Sequence, residues 1–484
     1  MARQQATVLT GSGDPGPQGL AVARTVAWSA PRRLMAVVAL ATTYLLLGLA
    51  SFSTHVSHGI VTPVCFLPEG VALTAALLFG PKLWPGVFLG QLLLASSQAL
   101  PLPAGLAIAA VNSVEMVGAA LLFRRWRLHA DLQRLQDFTM LLLLIVLVLQ
   151  PFSATLGTAT LWLSGLIPSG QPLLLAWVDW WVGNVMGQVL LTPLLLCLMQ
   201  QRQRRVNLSL RCSAMVLLVI PTIWLGFVLL GSQGTSLLLV VFTPILVMLA
   251  IGPGLGGVSA ASLAMTISAL SLTSAGQGPF VTAGQPHILD LNLFVLGLTV
   301  TAQVLAVLLH ERNAMEEQLR QLAFYDPLTR LPNRRQIDDR LLSLTTSNRA
   351  QFHGVIFLDL DGFKQLNDIH GHEAGDRLLA LVAERLRENV RVDDMVGRLG
   401  GDEFVVLLEE LGPDQATARK RAEQMADALR HRLSSLYQLD GQEISCPASM
   451  GLTLFAADAG DTRGILHRAD MAMYAAKRAR QGAS

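Results

Sequence analysis

The chain has 484 residues, of which 52% are hydrophobic and 14% charged, with a formal net charge of +2. The charges are unevenly spread, 20 of them in residues 1–310 and 50 in residues 311–484. An ordinary soluble domain is about 25% charged. A soluble single-domain enzyme, a disordered chain and a secreted disulfide scaffold are therefore excluded, and so balanced a charge gives no reason to expect nucleic acid as a partner. Cys65, Cys197, Cys212 and Cys446 are scattered without metal-ligand spacing and read as buried thiols.

In residues 1–310 apolar runs recur at roughly 34–54, 59–80, 83–99, 104–123, 138–164, 174–199, 213–231, 236–251, 255–273 and 291–310. About 20 apolar residues cross the ~30 Å hydrocarbon layer. The runs at 83–99 and 236–251 are short for that, so the expected count is eight to ten spans. Arginines cluster before the first span (Arg24, Arg32, Arg33), after the fourth (Arg124, Arg125, Arg127, Arg134) and after the sixth (Arg202, Arg204, Arg205, Arg211). With either eight or ten spans, the positive-inside rule puts both termini in the cytoplasm. The first run lacks a small-residue cleavage site and is not a removed signal peptide. Residues 1–30 read as a disordered cytoplasmic leader.

Glu69, Glu115 and Asp179 lie in or beside these runs, where an ionisable group is costly and marks a candidate functional position. Asp179 stands among Trp177, Trp180 and Trp181, with Asn184 and Gln188 one and two helical turns further on. An aromatic belt with polar helix contacts, a ligand or ion pocket, and a transport pathway all remain open here. Pro68-Glu69-Gly70-Val71-Ala72-Leu73, running on through Leu78 to Gly90, resembles the bacterial membrane-associated sensor (MASE-type) domains. So does Trp180-Trp181-Val182-Gly183-Asn184 with Gly187 and Leu191-Thr192-Pro193. The resemblance covers about 280 residues and implies a polytopic α-helical sensor over 31–310, usually with about eight spans.

The last span runs without Gly or Pro into residues 311–322, where Met315, Leu319 and Leu322 form a narrow helical stripe. A signalling helix that pairs as a two-chain coiled coil is favoured over a passive connector.

The final 174 residues alternate strand and helix. Gly354–Leu360 reads as a strand and Asp376–Val390 as a helix. Val396–Leu399 and Phe404–Leu408 read as a hairpin around a Gly-Gly turn. Pro413–Leu436 then reads as a helix, Ile444–Phe455 as a strand and Gly464–Arg480 as a helix. Two βαβ-like units joined by a hairpin suggest an α+β sandwich of the ferredoxin-like or nucleotidyl-cyclase-like kind.

Two places carry chemistry. One is the strand end Asp359-Leu360-Asp361-Gly362-Phe363-Lys364 with Asn367 and Asp376 beyond it. The other is the turn Gly400-Gly401-Asp402-Glu403. Carboxylates converging from a strand end and a turn suit a hard divalent cation, and Mg²⁺ needs only one or two of them beside waters and phosphate oxygens. Gly400 and Gly401 leave room for phosphates to approach the backbone, and Lys364 offers a point charge. Asn367 and Asp376 together can pair with the N1–H and 2-amino donors of guanine. Singly, each feature has a duller reading: Gly-Gly-Asp is a common hairpin turn, and Asp361 reads as an ordinary loop residue.

The combination strongly resembles the GGDEF family of diguanylate cyclases. Gly-Gly-Asp-Glu-Phe follows Arg398, and the run from Asp359 through Gly375-Asp376 keeps the family's spacing. Asp326-Pro327-Leu328-Thr329 matches its opening motif and Ala469-Asp470 with Ala476-Lys477 its closing one. The resemblance covers essentially all of 322–480 and places the domain at 323–484. It implies a homodimer that condenses two GTP to cyclic di-GMP, with Mg²⁺ as the metal and Mn²⁺ as its alternative. Carried over by position, Asp359, Asp402 and the Leu360 carbonyl hold the metal, and Glu403 holds a second metal or helps deprotonate the 3′-hydroxyl. Lys364, Lys477, Gly400 and Gly401 then meet the phosphates, while Asn367 and Asp376 read guanine. Arg391 and Asp394 stand at the spacing of the family's product-inhibition site, where cyclic di-GMP acts as feedback ligand, although Arg and Asp three apart are also an ordinary surface pair. One departure is Gln481, where the family usually carries a basic residue and Arg480 stands one place early. The expectation is a cyclase of the bacterial inner membrane, embedded in the lipid bilayer. The alternatives are a catalytically silent GTP- or cyclic di-GMP-binding module and a transporter with a regulatory tail.

Overall fold

The structure is a computed structural model, and it describes residues 29–53, 64–168, 170–204, 219–222, 224–227, 235–282, 284–346, 351–439, 441–456 and 461–481. The expected disordered leader and most of the 213–231 run lie outside the described residues. The chain divides into two compact units, Met1–Asn313 and Ala314–Ser484.

The first unit is helical: α1 (Ala30–Ser53), α2 (Leu67–Phe79), α3 (Trp84–Ser97), α4 (Leu102–Arg125), α5 (Leu135–Leu144), α6 (Gln150–Leu163), α7 (Leu173–Arg204), α8 (Thr235–Ile251), α9 (Gly254–Ser274) and α10 (Ile288–Phe324). A two-residue hairpin, β1 (Val281–Thr282) with β2 (Gln285–Pro286), precedes α10. Among the described residues six helices are long and apolar enough to cross a membrane, α5 and α6 counting as one through a π turn at Ile145–Leu149. α2 and α8 are shorter apolar helices. Among the described residues of the 59–80 run the helix is Leu67–Phe79, with Pro68 in the first turn, where its missing N–H costs nothing.

Large apolar side chains such as Leu93, Leu121, Leu147 and Leu174 face outward, while Glu69, Glu115, Gln150 and Gln188 are buried. This inside-out distribution is what hydrocarbon as solvent selects. The two sequence stretches of the first resemblance meet in space. A Cβ on Gly70 would stand 2.5 Å from the Gly187 carbonyl oxygen, and one on Gly187 would stand 1.9 Å from that of Phe66. α2 and α7 therefore touch backbone to backbone, and Thr192 Oγ1 donates to the Gly70 carbonyl at 3.2 Å. Asp179 is only half-buried, and this separates it from the two buried glutamates. The neighbouring indoles serve helix contacts: Trp181 Nε1 donates to the Val146 carbonyl of the π turn, and Trp177 Nε1 to Thr155 Oγ1, each at 3.1 Å. Cys65 and Cys446 are buried as expected, and Cys197 is half-buried.

α10 runs unbroken for 37 residues, so the last apolar span and the expected 311–322 helix are one element. The boundary between the units falls inside it, three residues past the expected one. Met315, Leu319 and Leu322 are exposed along its length.

The second unit is built on β3 (Phe352–Leu360), β4 (Met395–Gly400), β5 (Glu403–Gly412) and β8 (Ala448–Ala456), in the spatial order β4-β5-β3-β8 and antiparallel throughout. In each β-α-β unit a further strand separates the two strands, which is the split, ferredoxin-like topology. α13 (His372–Glu388) and α14 (Gln415–Leu433) pack on one face of the sheet through Ile356, Leu358, Phe404 and Val406. α11 (Arg334–Thr345) and α15 (Thr462–Gln481) cover the other through Val355, Phe357, Val405 and Leu407. Burial of both faces explains why β3 and β5 read as nearly continuous apolar runs.

Three local expectations need correction. A short helix, α12 (Phe363–His370), begins directly after the β3 strand end. It is eight residues long, and Gly371 at φ +84 separates it from α13. The expected Ile444–Phe455 strand is two strands: β7 (Gln442–Ile444) pairs with β6 (Tyr437–Leu439), and β8 starts only after Pro447. Proline has no N–H for a ladder, so pairing stops there. For the same reason of a following hairpin, α14 ends at Leu433 rather than Leu436.

Candidate active site

The antiparallel register of β3 with β5 sets Asp359 directly opposite Glu403. Leu360 N donates to the Asp402 carbonyl at 3.3 Å, which ties the strand end to the hairpin turn. Asp359 is thus brought to Asp402 and Glu403, 43 and 44 residues further on, at one end of the two central strands.

The turn needs its glycines for conformation. Gly400 has φ +152 and Gly401 φ +54, backbone states that side chains rarely adopt. A Cβ at either position would meet nothing within 4 Å, so the space above the turn is open. Arg398 clamps the turn from behind. Its Nε and Nη2 donate to the Gly401 carbonyl at 3.0 and 2.7 Å, and its Nη1 donates to Asp326 Oδ1 at 2.9 Å. Asp326 also accepts from Thr329 N and Oγ1, at 2.8 and 2.7 Å. Burial alone would raise the Asp326 carboxyl, but these hydrogen bonds and the Arg398 charge hold it below the usual range. Asn333 caps α11 and donates from Nδ2 to the Ala323 carbonyl at the end of α10. The opening motif is therefore a hydrogen-bonded connector from α10 to the glycine turn.

The electrostatics are those of crowded carboxylates. Burial, and then the charge of Asp359, raise the Asp402 carboxyl above its ordinary range. Burial likewise raises Glu403, followed by the charges of Asp470, Asp359 and Asp402. Lys477, on α15, forms an ion pair with Asp359 Oδ1. Burial by itself would lower its ammonium, but that hydrogen bond and the surrounding acids raise it. α15 comes this close because Gly451 on β8 has no side chain: a Cβ there would stand 2.1 Å from Met473 N. Asp470 and Lys477 ride on the same helix.

Lys364 and Asn367 project from α12, and Asp376 from the first turns of α13. Lys364 and Asp376 are exposed. Asn367 Oδ1 is buried without a protein partner, and a Cβ on Gly375 would stand 1.8 Å from it. Gly375 therefore makes the room that this amide occupies. Asp361 accepts from Ser449 Oγ at 2.7 Å, and its charge also acts on Lys477.

Arg391 and Asp394 stand apart, at the opposite end of β4. Six residues at 3.3–3.4 Å each put roughly 20 Å between them and the glycine turn. Asp394 accepts from its own Arg391 N and from Glu409 N, at 3.2 and 3.0 Å. The exposed Arg391 side chain lines a groove of about 820 Å³, together with Arg340, Arg387 and Asp393. Arg340 itself is held by Glu409 at 2.7 and 2.5 Å. The Arg480 and Gln481 side chains lie outside the described residues.

Among the described residues no three His, Cys, Asp or Glu side chains gather as a closed metal cage. The donor set at the turn nonetheless fits Mg²⁺, which is bound by one or two carboxylates with waters and phosphate oxygens. Burial and the crowding of carboxylates raise Asp402 and Glu403, and a bound cation would relieve that crowding. Sequence reasoning missed four residues of this site as contributors. Arg398, Asp326 and Asp470 lay within the quoted motifs, and Gly375 immediately precedes Asp376.

A unit of helices long and apolar enough to cross a membrane, joined to an α+β sheet with a carboxylate-lined glycine turn, defines a multi-pass membrane protein with a ferredoxin-like domain. Residues 34–313 match the MASE1 family, and residues 323–483 match the family described as diguanylate cyclase, GGDEF domain. The chain belongs to the MASE1 family and carries a GGDEF domain after it. It is similar to MucR of Pseudomonas aeruginosa, a bifunctional diguanylate cyclase/cyclic di-GMP phosphodiesterase. The two are 39% identical over 201 residues, covering 39% of this chain and 28% of MucR. The diguanylate cyclase TpbB of the same species is 40% identical over 164 residues, covering 33% of this chain and 36% of TpbB. The crystal structure of the TpbB GGDEF domain is 40% identical with a TM-score of 0.29, over 31% of this chain and 92% of that one. The chain thus spans about a third of the length of these curated relatives.

Proposed function

We propose that this protein is a membrane-bound diguanylate cyclase governed by its MASE1 region. The observation that carries the reading is the Asp359–Glu403 register beside the open Gly400-Gly401 turn. Two GTP molecules meet across a two-fold homodimer, one on each second unit. Each 3′-hydroxyl attacks the α-phosphorus of the other GTP, a new P–O bond forms, and pyrophosphate leaves with the electron pair of the broken bond. The balance is two GTP to one cyclic di-GMP and two pyrophosphates.

In this reading Asp359, Asp402 and the Leu360 carbonyl hold Mg²⁺ or Mn²⁺, with Glu403 available to a second ion. The metal, when bound, supplies charge neutralisation at the transferring phosphoryl group. Glu403, its carboxyl raised by burial and its acidic neighbours, is suited to take the 3′-hydroxyl proton. Lys364 and Lys477 bind phosphate oxygens; for Lys477 this means releasing Asp359, and its long stem allows the move. Asn367 offers its unpartnered Oδ1, and Asp376 a carboxylate, to the guanine donors. Arg391 and Asp394 receive the product in the separate groove, away from the chemistry. The protein sits in the bacterial inner membrane with both termini cytoplasmic, because arginines cluster before the first apolar run and after the fourth and sixth, which the positive-inside rule makes cytoplasmic.

The test is binding of a non-hydrolysable GTP analogue to the full chain in detergent. Binding should need Mg²⁺, resist competition by ATP, and weaken at least about tenfold in Asp359→Asn. Binding without guanine preference, or unchanged in that variant, would overturn the site assignment.

A further inference from the structure

Five helices of the membrane unit aim polar side chains into one buried network. Glu69 of α2 and Glu115 of α4 are each 2% exposed. Among the described residues no Lys, Arg or His pairs with either. Tyr44 Oη, from α1, donates to Glu69 Oε1 at 2.8 Å and accepts from Asn112 Nδ2 at 2.9 Å. Gln150 Nε2 from α6 and Gln188 Nε2 from α7 both donate to Glu115 Oε1, at 2.6 and 2.8 Å.

Those bonds consume the amide donors and leave acceptors over. Asn112 Oδ1, Glu115 Oε2, Gln150 Oε1 and Gln188 Oε1 are all buried without a protein partner. Two donors stand against them, Asn184 Nδ2 and the buried hydroxyl of Ser153, which reaches Glu115. Turning either glutamine amide over would only point another oxygen at the carboxylate. Two carboxyl groups in an apolar interior also need neutralising. A proton on Glu115 Oε2 would turn that oxygen into a donor, and with one on Glu69 two donors would face the three remaining orphan oxygens. A hard cation neutralises charge and binds several oxygens at once.

A cavity of about 40 Å³ adjoins this network and is lined by Phe52, Phe66, Gln91, Asn112, Trp180 and Asn184. Asn112 belongs both to its wall and to the network. Phe52 closes α1 and Phe66 precedes α2, at the helix ends remote from Arg33, Lys82 and Arg124. Since about 10–15 Å³ holds one water, the cavity suits a small ion with part of its hydration and not a bulky organic ligand.

We propose that Glu69, Glu115, Gln150 and Gln188 form an intramembrane site for a hard, oxygen-seeking metal cation, entered through this cavity. The site goes beyond the cyclase reading and does not rest on it, because it can be followed by unfolding rather than by synthesis. The full chain in detergent, free of nucleotide, is heated at fixed pH in NaCl or in CaCl₂, with choline chloride holding ionic strength constant. Unfolding should shift upward saturably by about 5 °C in one of the two salts, which identifies the ion as monovalent or divalent. Glu115→Gln should abolish that shift. If Glu115→Gln does not fold, Gln150→Met keeps both charges and should raise the half-saturating salt concentration at least about tenfold. Equal unfolding temperatures in sodium, calcium and choline would overturn the proposal. So would an identical shift in wild type and the variants, or a response to acidification alone, which would assign the pair to protons.

Discussion

Replacing Gly375 with alanine isolates the guanine-reading role of Asn367. The new Cβ would stand 1.8 Å from Asn367 Oδ1 and 3.2 Å from Phe363 Cζ, so the amide must swing aside. Asn367 Oδ1 has no protein partner to lose, and the swing costs the fold little. Alanine is also the better helix former, by up to ~1 kcal/mol. The unfolding temperature should therefore stay within about 3 °C of wild type. One hydrogen bond lost to the base is worth ~0.5–1.5 kcal/mol, so KM for GTP should rise about 2- to 13-fold. The preference for GTP over ATP should narrow by the same factor. Steady-state synthesis by the full chain, with ATP as competitor, reads both quantities. On an Asn367→Ala background the alanine at 375 should add nothing further, since both changes remove one contact. An unchanged KM with an unchanged fold would refute the guanine assignment. A drop of more than about 5 °C would show that Asn367 is structural.

Asp402→Asn should lower synthesis more than about tenfold, as the loss of a metal ligand does, while the domain stays folded. In EDTA the same change should stabilise the protein at neutral pH, because burial and Asp359 raise the Asp402 carboxyl in the folded state. The charged form is penalised only there, so the gain should vanish as the pH falls below the ordinary carboxylate range, where both states carry the proton. A pH series of thermal unfolding with a constant difference would contradict that cause. Arg391→Ala should relieve inhibition by cyclic di-GMP without altering KM, and an unchanged inhibition curve would reduce Arg391 and Asp394 to a surface turn. Two residues inserted after Arg320 rotate the downstream part of α10 by roughly 200°, whereas seven nearly restore its phase. Basal synthesis should change strongly with the first insertion and little with the second; equal activity in both would make α10 a passive tether.

What the sequence disclosed follows from how local each signal is. Asp359, Lys364 and the Gly400-Gly401-Asp402-Glu403 turn lie within short motifs, so their chemistry was legible before their meeting was seen. The strand pairing that sets Asp359 against Glu403 is non-local: the two apolar runs announced buried strands, but not which strand lies beside which. α12 was not legible: eight residues show too little periodicity, and the helix is bounded by Gly362 and Gly371 at positive φ. Arg398 and Gly375 were visible as letters, but their roles depend on a carbonyl and an amide contributed by the fold. In the membrane unit, apolar length announced the helices and isolated acids announced themselves. Nothing in the order of residues placed Tyr44, Glu69, Asn112, Glu115, Gln150 and Gln188 together, because helix packing alone decides which polar faces converge.

The central claim is condensation, and its most direct measurement is the product balance of one reaction. The full chain in detergent is incubated with GTP and Mg²⁺, and cyclic di-GMP and pyrophosphate are quantified from the same sample. The account predicts two pyrophosphates for each cyclic di-GMP, no GDP, and no product in EDTA. Recovery of intact GTP from a folded, GTP-binding protein would contradict it and leave a silent signalling module, and GDP with inorganic phosphate would contradict the chemistry outright.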